Sequence, residues 1–218
     1  EVALNGVQRL GNSVFVGCTA LRSVELPEAL SEIGTNVFQG SGLTEIDIPV
    51  GITEVKKETF KDCTALTRVG LHGGVTAVEE SAFSGCTALS EIALPDSLVS
   101  IGQCAFDGCG LKRVELPDSV KELGVQAFGH CPALEEVRLS AGASVIPHSC
   151  FDGCGALSEL IIPEGVTKIE VNAFQNASSL KYVELPDGLK TLELNCFYNS
   201  GISAVFIPDS LETFDRQA

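Results

Sequence analysis

The chain has 218 residues, 44% of them apolar, enough to fill a continuous core. With 29 Asp and Glu against 14 Lys and Arg, its formal net charge is −15, which argues against nucleic acid and anionic membrane surfaces as partners. No apolar run approaches the roughly 18 residues of a membrane span, so no membrane insertion is expected, and 9 cysteines, an odd number, exclude a fully paired disulfide framework within the chain.

The opening EVALNGVQRL has no basic, apolar leader, and Val2 and Leu4 read as the tail of an earlier strand. Phenylalanine then recurs at Phe15, Phe38, Phe60, Phe83, Phe106, Phe128, Phe151, Phe174 and Phe197, in steps of 22 or 23 residues. Each Phe sits in a unit close to L-x-x-[IV]-x-[LI]-P-x-x-[LV]-x-x-[IL]-G-x-x-A-F-x-G-C-x-x. The first half of the unit predicts a strand. Its apolar positions run Leu21, Val24, Leu26, then Leu43, Ile46, Ile48, through to Ile202, Val205, Ile207, and the last two of each set alternate as one buried face requires. Proline, which has no N–H for a ladder, ends that strand at Pro27, Pro49, Pro95, Pro117, Pro163, Pro186 and Pro208; His72 and Ser140 replace it in two units.

The second half carries an apolar pair three apart, such as Leu98 and Ile101, with the Phe five residues later. This spacing predicts a short extended piece followed by a turn of helix or 3₁₀ structure. Two residues after the Phe, Gly17, Gly40, Gly85, Gly108, Gly153, Asn176 and Asn199 suit the positive φ of a sharp return turn. Three units are one residue short, at Ser41, Cys109 and Ser200, always in the same place, which marks that place as a loop. Leu211 and Phe214 fall at the apolar-pair positions of the final unit, and neither end carries a recognisable cap. Residues 1–218 are therefore expected to form one solenoid domain, an excerpt of a longer repeat protein. A single unit cannot bury its apolar face, whereas stacked coils can.

The combined Phe, Pro and Cys columns resemble the Treponema-type, or BspA-like, leucine-rich repeat over essentially the whole chain. The resemblance implies an α/β-type solenoid: a right-handed superhelix of about nine repeats of 22–23 residues, with a parallel β-sheet on its concave side and little regular helix. It also implies a secreted or surface-exposed protein acting in adhesion or protein binding, and it carries no catalytic residues and no cofactor. Ser41, Ala177 and Ser200 depart from the Cys column, and His72 and Ser140 from the Pro column.

Cys18, Cys63, Cys86, Cys109, Cys131 and Cys154 lie three residues after a Phe; Cys104, Cys150 and Cys196 lie one or two before one. A zinc site would need four converging ligands, and CAFDGC or CFDGC offers two with no nearby His. Adjacent coils would place the Cα atoms within disulfide range, but side chains in register point the same way and keep the Cβ atoms too far apart. Ser and Ala also stand in for Cys in this column. It reads first as structural thiols, buried and free, acting as small apolar side chains, with some disulfide as the second reading.

Nothing in the chain assembles a catalytic constellation: His72, His130 and His148 fall in three different columns, and there is no nucleophile motif or phosphate loop. The acidic column after the proline, Glu28, Asp96, Asp118, Glu164, Asp187 and Asp209, reads as turn chemistry before it reads as a cation site. The sequon Asn176-Ala177-Ser178 is weak, because such triplets arise by chance. Binding therefore falls to the outward strand residues. One column runs Ser23, Glu45, Arg68, Glu91, Arg113, Glu136, Glu159, Tyr182, Ala204, and the next Glu25, Asp47, Gly70, Ala93, Glu115, Arg138, Ile161, Glu184, Phe206. The early units are of mixed charge, as a solvated face is. Ile161, Tyr182 and Phe206, with Glu184 and Arg138 beside them, form the candidate surface for a protein partner, such as a host or matrix protein. Two alternatives remain open: that these apolar residues pack against a following segment, and that the array is a spacer with no ligand of its own.

Overall fold

The computed structural model describes residues 2–215. Each coil runs through a first strand, a proline turn, a second strand and a turn segment that carries the Phe. Neighbouring coils are joined along three rows of backbone hydrogen bonds.

The first row comprises Val2–Ala3, Val24–Glu25, Glu45–Asp47, Arg68–Gly70, Arg113–Glu115, Glu136–Arg138, Glu159–Ile161 and Tyr182–Glu184. Its three-residue strands bury the middle residue and expose the outer ones, Gly70 alone being half-buried, as the period-two alternation predicts. The second row is built of two-residue strands, from Arg9–Leu10 through Ser100–Ile101 to Thr213–Phe214. Every pairing is parallel and joins equivalent residues of consecutive coils, as in Ile46 with Val69 and Val78 with Ile101.

The third row passes through the Phe segment, and here the expected helical turn is absent. In every coil the residue two before the Phe has positive φ, from Ser13 (59°) through Cys104 (53°) to Asn195 (57°). The residue two after it does too, and the glycines and asparagines expected there are joined by Asp62 (58°) and His130 (50°). A left-handed residue every four positions stops an α-helix before one turn closes. From the Phe15 to the Phe174 segment it turns three alternate amides toward the next coil instead: Phe38 donates to Thr59 O at 2.9 Å, between Asn36 to Lys57 O (3.0 Å) and Gly40 to Lys61 O (2.8 Å). The described residues contain no helix, so the fold is a parallel-strand β-solenoid of about nine turns rather than an α/β-type one.

Inside, the Phe rings form one continuous stack from Phe15 to Phe197, with centroids 5.1–5.5 Å apart and planes within 10°. The seven rings from Phe38 to Phe174 are fully buried. Such a stack adds about 0.5–1.5 kcal/mol per pair beyond the area buried.

The proline turns are β-turns, with the Pro carbonyl accepting the amide three residues on, as in Leu98 to Pro95 O at 2.9 Å. The two residues that replace proline solve the position alike. His72 Nε2 bonds Ile52 O (2.9 Å) while its Nδ1 accepts the Gly74 amide (3.0 Å). Ser140 Oγ donates to Val120 O (2.7 Å) and accepts the Gly142 amide (3.0 Å). The three short units draw their loops onto the coil before. A Cβ at Gly42, Gly110 or Gly201 would lie 2.1, 2.2 or 2.6 Å from the carbonyl oxygen of Thr19, Thr87 or Ser178.

The first row is parallel as expected but not continuous. It is divided into two-stranded ladders, and residues 91–93 join none. Gly70 beside that break and Ala93 within it hold outward positions, and glycine has no side chain and alanine only a methyl group to pack across strands.

Candidate binding surface

The outward residues of the first strand row divide into a charged, internally paired part and an apolar part. Arg68 bonds both oxygens of Asp47 (2.7 and 2.8 Å) and reaches Glu45 at 3.3 Å; the Arg68 bonds hold the Asp47 carboxyl below its ordinary pKa. Arg113 pairs with Glu115 (2.5 Å) and Glu136 (3.5 Å). Arg138 turns to the preceding coil, bonding Asp118 (3.0 Å) and Leu116 O (2.9 Å). All these pairs are exposed and screened by solvent, so they hold side chains in place rather than stabilise the fold.

Beyond Arg138 the surface changes. Ile161 is 63% exposed, Tyr182 55% and Phe206 92%. The register places Ile161 beside Glu184 and Tyr182 beside Glu159, so the two apolar side chains lie diagonally on adjacent strands. Phe206 belongs to the next coil, at the outward position after Glu184, where residues 204–206 form no strand. The Arg138 guanidinium, on the coil before Ile161, is taken up by its bonds to Asp118 and Leu116 O.

The cysteine column has chemistry that residue counting missed. Cys63, Cys86, Cys109, Cys131 and Cys154 are buried, and each Sγ–H donates to the Phe carbonyl of the preceding coil at 3.0–3.2 Å. Burial pushes the thiols of Cys86, Cys109 and Cys154 well above their ordinary range and that of Cys131 up to about 12. Cys18, in the same column, is exposed.

The three histidines share no site. His72 serves a proline turn, His130 meets Asp107 at 2.9 Å beside the Phe stack, and the His148 amide is taken by Glu170. Asn176 of the sequon has positive φ and binds Asp152 (3.1 Å) and Asn199 (2.9 Å) through its side chain. Among the described residues no three His, Cys, Asp or Glu converge as metal ligands, and no helix is long and apolar enough to cross a membrane.

The described family "BspA type leucine rich repeat region" matches residues 2–112, 64–176 and 144–218, in six copies. Among solved structures, a leucine-rich repeat protein from Bacteroides ovatus is 32% identical with a TM-score of 0.79, covering 84% of this chain and 48% of its own. The leucine-rich repeat protein of T. pallidum is 34% identical with a TM-score of 0.61, over 81% of this chain and 74% of its own. One from Eubacterium ventriosum, at 22% identity and a TM-score of 0.67, shares the fold over 96% of this chain and 66% of its own. This chain thus spans about half the length of the Bacteroides protein, and no curated protein matches it. Phe, Pro and Cys columns, in-register coils and these likenesses agree: the chain belongs to the BspA-type leucine-rich repeat family.

Proposed function

We propose that this chain is a non-enzymatic protein-recognition or adhesion module of an extracellular or cell-surface protein. Its docking surface is formed by Ile161, Tyr182, Glu184 and Phe206, with Arg138 at the edge, and its partner is another protein, of the host or the matrix. In this reading the first strand row lies on the concave side of a right-handed superhelix. The observation that carries it is the exposure of three large apolar residues on consecutive coils, at 63%, 55% and 92%, on a face whose arginines, Arg68, Arg113 and Arg138, are all paired with carboxylates. Apolar residues gathered in this way mark interaction sites, and buried aromatic anchors supply most of the energy of an interface. The test is binding of purified matrix proteins to the immobilised chain. Tyr182→Ala and Phe206→Ala are each expected to weaken binding about tenfold or more, the loss of a 1.4 kcal/mol anchor. Unchanged affinity in both variants would overturn the assignment of the surface.

The spacer reading is favoured by the paired charges from Glu45 to Arg138, which leave most of that face satisfied. It predicts no saturable binding by the unaltered chain.

A further inference from the structure

The outward column Glu45, Arg68, Glu91, Arg113, Glu136 alternates in sign. In register, Glu91 would stand between two arginines. Both turn away from it: Arg68 toward Asp47 and Glu45, Arg113 toward Glu115 and Glu136. Glu91 is exposed and has no cationic side chain within 4 Å among the described residues. The strand row fails at the same place. Residues 91–93 join no ladder, so the amides and carbonyls of Glu91 and Ala93 make no inter-coil bonds. Ile92 is half-buried, whereas Val69 and Val114, its counterparts on either side, are 6% and 1% exposed. The result is a groove of about 610 Å³ with Ile92 and Leu94 in its lining, flanked by Arg68 and Arg113, whose guanidiniums are held by the carboxylates just named, and by Glu91 and Glu115.

We propose that this groove is a second docking site, distinct from the Ile161–Phe206 surface, which takes a basic side chain of a partner protein. The cation meets Glu91 and the aliphatic residues flanking it lie on Ile92 and Leu94. The charges choose the occupant. An anion would have to draw Arg68 or Arg113 from carboxylates they already hold, while a cation meets a carboxylate with no competitor. The chain's net charge of −15 favours the approach of a basic partner over that of an acidic one. The free main-chain groups of Glu91 and Ala93 offer hydrogen bonds to the partner's backbone.

The test titrates the isotope-labelled 218-residue chain with acetyl-Gly-Leu-Arg-Leu-Gly-amide and its Gln and Glu counterparts, following backbone amide shifts. Expected are saturable shifts at residues 91–94 with the Arg peptide, at least fivefold weaker binding of the Gln peptide, and no saturation with the Glu peptide. Glu91→Gln, an exposed change that leaves the core intact, is expected to weaken the Arg peptide at least fivefold, and Tyr182→Ala to leave it unchanged. Equal binding of the Arg and Gln peptides, an unaffected Glu91→Gln variant, or no saturable shift at 91–94 would overturn the proposal. Loss of the Ile161–Phe206 surface would not, since Tyr182→Ala separates the two.

Discussion

Along the stack every Phe carbonyl except that of Phe128 accepts the amide three residues on in its own coil, and those of Phe38, Phe60, Phe83 and Phe106 also accept a thiol from the next coil, as when Cys63 N and Cys86 Sγ meet Phe60 O. Both lone pairs of a buried oxygen are then occupied, which favours cysteine over alanine in this column. The column itself was legible in the sequence, but its donor role was not, because a recurring small residue looks the same whether it fills space or gives a proton. Burial also makes these thiols sensitive to pH in a defined direction. Cys131 is pushed up to about 12 in the fold, whereas a thiol in the unfolded chain ionises near about 8.5. Below that value both states are protonated and the contribution is intact. Above it only the unfolded chain loses the proton, so stability falls by up to about 1.4 kcal/mol per pH unit for each such thiol until the folded value is reached. The urea midpoint is expected to drop between pH 7.5 and 10, and Cys131→Ser to flatten that drop; a level profile would refute the account.

At the scale of the element, one-residue deletions and glycines belong together. The loops at Gly42, Gly110 and Gly201 lie against a backbone carbonyl of the preceding coil, where a methyl group has no room. Gly110→Ala is expected to cost about 1–3 kcal/mol through overpacking. Gly155→Ala, where the nearest atom would be Ser178 Oγ at 3.6 Å, should stay within about 0.5 kcal/mol; thermal denaturation of the two variants compares them. The strands, their stops at proline and the turn two residues after the Phe could all be read from recurring residue types. The turn two before it could not, because Ser13, Asn36, Glu58, Cys104 and Gln126 share no conformational preference. There the inter-coil hydrogen bonds impose positive φ on whatever residue arrives. The break at Glu91–Ala93 had a faint signal in Gly70 and Ala93. Tyr182 and Ile161 were legible as outward residues, whereas the pairing of Arg138 with Asp118 needed side-chain geometry.

Over the whole molecule, each coil touches only its neighbours, so stability is close to a sum of coil terms and interface terms. Phe106→Ala removes one ring from two stacked pairs, with Phe83 and Phe128, and is expected to cost about 3–5 kcal/mol. The damage should stay local. Hydrogen exchange at residues 81–130 is expected to accelerate at least tenfold, while amides around Phe38 and Phe174 change less than threefold; uniform acceleration would show one cooperative unit instead. The amide row beside the stack has a further consequence. In each coil from Phe38 to Phe174 three peptide groups, such as those joining Thr35 to Asn36 and Val37 to Phe38, present the carbonyl to the coil before and the N–H to the coil after. Their dipoles, about 3.5 D each, point the same way and add along the solenoid axis. This β-solenoid therefore carries a macrodipole along one wall, positive toward later coils, the reverse of the sense in an α-helix.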